Sequence, residues 1–246
     1  MARLDPAKLP DHIAIIPDGN GRWAQARGLP RVEGHRRGSE VVRESVRAIH
    51  ELGIPMFTLY TFSIENWDRP QGEVDSLMTL LDHYVKSEAD ELVEQGIRVE
   101  LMGRPHELRP ELARQLEDLQ RRTESNDQMR LAFALSYSGR AELVDAARAI
   151  ARKVEAGKLD PDALDEKIVR DHLYLPDWPD PDLLIRFGDE HRISNFMLWQ
   201  LAYTELYFSP TPWPDVGKEE LVDALVAYQQ RERRRGRTGD QVRKQS

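Results

Sequence analysis

The chain has 246 residues and a net charge of −8, with 43 acidic against 35 basic residues, which argues against a general nucleic-acid binder. It has no cysteine, so disulfides and thiolate metal sites are excluded and a reducing compartment suits it. No apolar stretch approaches the roughly 20 residues that span a bilayer. The first 17 residues carry Asp5 and three prolines where a secretory signal would be apolar, so the expectation is a cytoplasmic protein built as a single domain.

Taken in order, residues 1–9 read as a frayed end, and the apolar run 13–16 as a buried strand. That strand empties into Asp18-Gly19-Asn20-Gly21-Arg22-Trp23, a glycine turn that opens a helix. Glycines let a backbone come close to a phosphate, and the free N–H groups at a helix start favour an anion. A plain tight turn is the alternative; Asp18 weighs against it, because a carboxylate beside a phosphate cradle calls for Mg²⁺ between them. Basic residues cluster at Arg31–Arg37, which keeps anionic ligands open. Val41, Val42, Val46, Ile49 and Leu52 recur at helical spacing, and Gly53 is placed to end that helix.

A second strand, 56–62, runs into Ser63-Ile64-Glu65-Asn66-Trp67-Asp68-Arg69-Pro70. Ser63, Asn66 and Arg69 are thereby delivered to the same edge as Asp18. Asn66 reads equally as a turn former, and Trp67 as a lid packed on the core. Val74, Leu77, Met78, Leu81, Tyr84 and Val85 form an apolar stripe that is either plain core or one wall of a greasy tunnel. Strands follow at 97–101, 131–135, 183–186 and 205–208, with helices at 111–122, 141–156, 161–173, 195–201 and 218–235. Strands alternating with helices of this length imply right-handed βαβ units: an α/β fold with one open, mainly parallel sheet of about six strands flanked by helices.

The fifth strand ends in Arg186-Phe187-Gly188-Asp189-Glu190-His191-Arg192-Ile193-Ser194-Asn195-Phe196. Arg186 and Arg192 can make charge-assisted bonds to phosphate oxygens, and Ser194 can cap the helix expected after it. In an open α/β sheet ligands sit outside the carboxyl ends of the strands, and three such ends here carry phosphate-compatible groups. The seven histidines show no metal-ligand spacing. His35 and His191 fall in polar loops and are functional candidates, whereas His12, His50, His83, His106 and His172 read as surface residues.

At these residues the chain resembles the cis-prenyltransferases, specifically bacterial undecaprenyl diphosphate synthases, from about His12 to Gly236. The pieces that carry the resemblance are Asp18-Gly-Asn-Gly-Arg-Trp23, Gly34-His35, Phe62-Ser63 with Glu65-Asn66-Trp67, Arg69-Pro70, Glu73-Val74, Asp182-Leu-Leu-Ile-Arg186 and Arg192-Ile-Ser-Asn-Phe196. Leu198-Trp-Gln200, Glu205-Leu-Tyr-Phe208, Trp213-Pro-Asp215 and a C-terminal Arg234-Arg-Gly236 follow.

The resemblance implies a hydrophobic tunnel and a Mg²⁺-dependent enzyme that adds isopentenyl diphosphate to an allylic primer such as farnesyl diphosphate. The product would be a polyprenyl diphosphate such as undecaprenyl diphosphate, the lipid carrier of cell-wall synthesis. By position, Asp18 would engage Mg²⁺ and the diphosphates, and Gly19, Asn20, Gly21, Arg22, Trp23, Arg31 and His35 the allylic diphosphate. Asn66, with Ser63 nearby, resembles the group implicated in removing the isopentenyl proton, within a loop whose Ile64, Glu65, Trp67 and Arg69 are also substrate-binding candidates. Arg186, Arg192, Ile193 and Ser194 resemble the isopentenyl diphosphate clamp, Glu205 a second Mg²⁺ contact, and Arg234-x-Gly236 an element reaching across a homodimer interface. Release of the product would bring peripheral contact with the inner face of the membrane.

Departures from the family are Pro17 before the aspartate, Phe187-Gly188-Asp189 in place of a small, polar run, Ser136-Tyr137-Ser138-Gly139, and Arg237. Phe187 would add bulk and Asp189 negative charge near the diphosphates. A shorter-chain cis-prenyl diphosphate synthase and a non-catalytic partner subunit are the alternatives within this resemblance. A general nucleotide- or phosphosugar-binding protein is the alternative outside it, and it lacks a Walker lysine and a complete Gly-x-Gly-x-x-Gly. Trans-prenyltransferases fit poorly, since the chain has no Asp-Asp pair.

Overall fold

The computed structural model describes residues 3–231. Six strands, β1 (His12–Ile16), β2 (Met56–Ser63), β3 (Ile97–Gly103), β4 (Met129–Tyr137), β5 (Leu183–Arg186) and β6 (Glu205–Phe208), form one sheet in the order β3-β4-β2-β1-β5-β6. Every pairing is parallel, as the intervening helices require. All six match the expected runs to within two residues at either end. The helices are α1 (Asn20–Ala26), α2 (Arg31–Glu51), α3 (Gln71–Glu94), α4 (Pro110–Arg122), α5 (Gly139–Glu155), α6 (Glu166–Arg170) and α7 (Lys218–Gln229).

Strand alternation divides the core in two. Ile13 and Ile15 of β1, with Leu183 and Ile185 of β5, belong to the large cluster that takes in the buried stripes of α2, α3, α4 and α7. Ala14, Ile16 and Leu184 point the other way, into a smaller cluster with Tyr60, Tyr137 and Phe196. Both faces are covered, which is why these strands read as unbroken apolar runs. β2 carries a register shift between Tyr60 and Phe62, and this bulge lies just before the residues that reach the sheet's carboxyl edge.

Several expectations need correction. Residues 161–173 do not form one helix: a single 3-10 turn (Pro161–Ala163) is followed by five-residue α6, whose start is fixed by the Asp165 side chain accepting from Ile168 N. Residues 195–201 are turns, because Ser194, Asn195 and Met197 all adopt left-handed backbone angles that a right-handed helix cannot hold. Ser194 therefore caps no helix. The N-terminal segment is docked: Asp5 N donates to Gln229 Oε1, Gln229 Nε2 donates to Asp5 O, and Leu4 and Leu9 pack against the large cluster. His12 is fully buried, with Nδ1 2.8 Å from Pro179 O, Nε2 2.8 Å from Thr58 Oγ1, and its ring edge-on to Trp178. α7 ends at Gln229, and Arg234-x-Gly236 lies outside the described residues.

Candidate active site

β1 sits between β2 and β5, so the chain leaving Ile16 enters the point where the strand order reverses, the usual ligand crevice of such sheets. The turns after β1 and β5 interlock there. Gly19 (φ 95°) and Gly188 (φ 87°) both occupy the left-handed region, and a Cβ on Gly188 would lie 2.7 Å from the Asp18 carbonyl. Only glycine lets these two backbones pass so closely. Their contact sets Asp18 beside Arg186: Asp18 Oδ2 accepts from Arg186 Nη2 at 2.8 Å, and Arg186 is only 3% exposed.

The resulting pocket has a volume of about 390 Å³. The β1 turn and α1 contribute Asp18, Asn20, Gly21 and Arg22; α2 contributes Arg31 and His35; the β2 exit contributes Ser63, Asn66 and Arg69; the β5 exit contributes Arg186, Glu190, Arg192 and Ser194. Five arginines thus face two carboxylates, a surplus of positive charge suited to phosphate groups. Arg186 Nη1 donates to Ser194 Oγ (2.7 Å) and to Arg192 O, so it braces the loop that carries the second arginine. Arg22 lies 3.6 Å from Asp18 and 3.5 Å from Glu190, and Arg192 is paired with Glu190.

On the α2–α3 side, Glu73 gathers the cations. It lies 3.3 Å from Arg31, 3.0 Å from Arg69 and 3.9 Å from His35 Nε2. Burial pushes the Glu73 carboxyl up, but the bond from Arg31 and the nearby charges of Arg31 and Arg69 outweigh it and hold the group below its ordinary value. Burial, with Arg69 close by, lowers the His35 pKa from 6.5 to about 4, so its imidazole is neutral near pH 7. Ser63 and Asn66 cap one another: Asn66 Oδ1 accepts from Ser63 N at 3.2 Å, and the Ser63 side chain accepts from Asn66 N. Asn66 is therefore the expected turn former, and its NH₂ still has no partner among the described residues.

Among the described residues, three buried polar atoms in the pocket lack any partner: Asn20 Oδ1, His35 Nε2 and Arg186 Nε. Buried polar atoms are nearly always bonded, so such a group facing a pocket marks where a polar ligand completes the set. No cluster of three or more His, Asp or Glu side chains that could hold a metal alone occurs among the described residues. Mg²⁺ commonly takes one or two carboxylates and leaves its other positions to substrate phosphates and water. Asp18, with the arginines around it, fits a cation that arrives with a diphosphate.

Adjoining this polar pocket is an apolar cavity of about 110 Å³ between the sheet and α2–α3. Asn20 and His35 line both spaces; Val42, Leu59, Phe62, Met78, Leu81, Tyr84 and Phe133 wall the apolar one. The stripe on α3 is thus core on one side and cavity wall on the other.

Gly19, Trp23, Ile64, Glu65, Trp67, Ile193 and Glu205 are not brought to the pocket surface. Gly19 forms the turn beneath it. Trp23 Nε1 donates to Asp215 at 2.5 Å, and Arg27 stacks over its ring. Glu65 accepts from Asn195, Trp67 donates to Ser136 while packing edge-on to Phe62, and Ile193 packs against the smaller core. Glu205 stands at the amino end of β6, in register with Leu183 and 2.8 Å from Arg231. His191 is exposed, its ring tilted against Phe208.

The bulk expected from Phe187 does not reach the site, because that ring is buried against Trp213 in the large cluster. Asp189 is exposed and lines no part of the pocket; Glu190 is the acid that does. Pro17, Tyr60, Thr61 and Glu190 are lining residues that sequence reasoning missed. The alternation of β2 could have flagged Tyr60 and Thr61, but the bulge between Tyr60 and Phe62 hides the phase.

A family model described as "Putative undecaprenyl diphosphate synthase" matches residues 16–236. An isoprenyl transferase of Geobacter sulfurreducens is 48% identical over 246 residues, covering 100% of both chains. One from Heliobacterium mobile is 48% identical over 234 residues, 95% of this chain and 90% of its own. Among solved structures, lavandulyl diphosphate synthase from Lavandula x intermedia, in complex with dimethylallyl diphosphate, superposes with a TM-score of 0.90 at 38% identity, covering 92% of this chain and 98% of that one. A probable undecaprenyl diphosphate synthase from Campylobacter jejuni gives 0.77 at 29% identity, covering 93% and 99%.

Proposed function

The chain belongs to the undecaprenyl diphosphate synthase family of prenyltransferases, and from that premise we propose that it condenses isopentenyl diphosphate with an allylic diphosphate such as farnesyl diphosphate, with Mg²⁺, to give a cis-polyprenyl diphosphate. The observation that carries this reading is the junction of two spaces. An arginine-lined pocket with three buried polar atoms that have no partner among the described residues opens beside an apolar cavity, as a diphosphate with a hydrocarbon tail demands.

Asn20 and neutral His35 line both the polar pocket and the cavity, so together with Arg22 and Arg31 on the polar side they hold the allylic diphosphate with its tail inward. Arg186, Arg192 and Ser194 hold the second diphosphate beneath the β5 loop. Asp18 lies between the two and would hold Mg²⁺, which, when bound, neutralises charge on the departing diphosphate oxygens. Arg22 and Arg31 stabilise that same charge through preorganised donors. An amide is a poor base, so Asn66, held by Ser63, orients a relay for the isopentenyl proton. The apolar wall from α3 excludes water from the ionising allylic group.

The cavity of about 110 Å³ is smaller than the roughly 150 Å³ cavity that accepts benzene, so a 15-carbon tail requires α2 and α3 to part into a tunnel. We also propose a homodimer in the cytoplasm, releasing product at the membrane's inner face. Glu205, at the opposite strand end from Asp18, can contact Mg²⁺ only in a partner's site, as Arg234-x-Gly236 would.

The test is incorporation of labelled isopentenyl diphosphate into a solvent-extractable product. Label should move only when an allylic diphosphate and Mg²⁺ are both present. No incorporation by the folded protein would overturn the reading.

A further inference from the structure

The loop after β5 holds an unusual backbone. Ser194 (φ 47°), Asn195 (φ 61°) and Met197 (φ 44°) are all left-handed, and none is glycine. Side-chain-bearing residues persist there only when their surroundings over-determine them. This is also the stretch that presents Ser194 Oγ and Arg192 to the pocket.

What restrains it comes from the β4–α5 junction, on the face of the sheet away from the apolar cavity. The buried Tyr137 hydroxyl accepts from Met197 N at 3.1 Å and donates to Glu142 Oε2 at 2.6 Å. Glu142 is also buried and accepts from Gln200 Nε2 (3.2 Å) and from Tyr174 N (3.1 Å). The two residues therefore grip the loop at Met197 and at Gln200. Asn195 is held separately: its carbonyl accepts from Gly139 N at 2.7 Å, its Oδ1 from Arg140 N at 3.0 Å, and its Nδ2 donates to Ser138 Oγ at 2.6 Å. Tyr60 stacks on Phe196 at 4.4 Å, and Tyr137 meets both rings edge-on.

We infer that Tyr137 and Glu142 are positioning residues for one of the two diphosphate subsites: they latch segment 194–197, left-handed at Ser194, Asn195 and Met197, so that Ser194 and Arg192 converge with Arg186. The latch touches neither Arg31, His35 nor the α1 turn. It therefore governs the subsite under the β5 loop and leaves the allylic subsite alone. This rests on the proposal that Arg186, Arg192 and Ser194 hold isopentenyl diphosphate.

Tyr137→Phe removes one hydroxyl and keeps the ring in its aromatic cluster, so the variant should fold, as thermal unfolding would confirm. Freed of the Met197 bond, the loop relaxes toward ordinary backbone angles and the cradle widens. The KM for isopentenyl diphosphate should rise on the order of 10-fold, the scale of one lost buried hydrogen bond, while the KM for the allylic diphosphate stays within about 2-fold. If the pair acts as a single latch, Tyr137→Phe combined with Glu142→Gln should be little worse than Tyr137→Phe alone. An unchanged isopentenyl KM, an equal rise in both constants, or fully additive effects in the double variant would each overturn the inference. Those outcomes presuppose turnover by the wild-type enzyme. Its absence would instead overturn the proposed function, and this assignment with it.

Discussion

Asp18→Ala separates stability from catalysis at the centre of the site. The carboxylate lies 2.8 Å from a guanidinium that is 3% exposed and, among the described residues, keeps only Ser194 Oγ and Arg192 O as further partners. Two unit charges about 4 Å apart at an effective dielectric of about 20 attract by roughly 4 kcal/mol. Asp18 is about one-third exposed, so screening and its own desolvation reduce this to about 2–3 kcal/mol. In a chain of this length that is a fall in Tm of about 5–10 °C. Inorganic diphosphate without Mg²⁺ should then stabilise the variant more than the wild type, because an anion replaces the missing carboxylate beside Arg186. Turnover at saturating Mg²⁺ should drop by on the order of 10²–10³, the loss typical of one transition-state electrostatic group. Thermal unfolding with and without diphosphate, followed by initial rates, reads both effects. An unchanged Tm together with near-normal turnover would refute the reasoning.

Tyr84→Ala removes a ring from the cavity wall, and the product distribution, read by mass spectrometry, should shift to longer chains. Asp189→Gly should leave the KM values for both diphosphates unchanged, since Asp189 is exposed outside the pocket and its φ of 60° suits glycine. Burial lowers the pKa of His12 from 6.5 to about 4, and that of His35 likewise. Between those values the unfolded chain binds protons that the native state does not, so stability falls as pH drops through this window. The loss should reach about 2 kcal/mol per histidine at pH 5, with Glu142, whose pKa burial raises, working in the opposite sense. Urea unfolding at pH 7 and pH 5 measures it, and His12→Gln should show the shallower decline.

The sheet was legible because its inner strands β1, β2, β4 and β5 are largely buried on both faces, so each reads as a mostly apolar run with its ends marked by polar turns. The helices that failed, 161–173 and 195–201, failed for reasons that periodicity does not register. Asp165 restarts the chain with a side-chain cap, and the left-handed Ser194, Asn195 and Met197 are held by groups more than 50 residues away in sequence. Asp18, Asn20, Arg22, Arg31, His35, Ser63, Asn66, Arg69, Arg186, Arg192 and Ser194 were nameable because they stand at strand exits or on the helix facing them. Their partners were not. The role of Glu73 in gathering Arg31, Arg69 and His35, and the service of Tyr137 to the β5 loop, depend on tertiary proximity. His12 was misread because an imidazole at a strand start looks like surface until Thr58 and Pro179 are seen to satisfy both its nitrogens.

The most direct measurement is the structure of the product made from isopentenyl diphosphate and all-trans farnesyl diphosphate with Mg²⁺. Mass spectrometry would give its length, and NMR of the new trisubstituted double bonds their geometry. The account predicts a polyprenyl diphosphate in which every added unit is cis. An all-trans product, or no new carbon–carbon bond with folded enzyme and both substrates present, would contradict it.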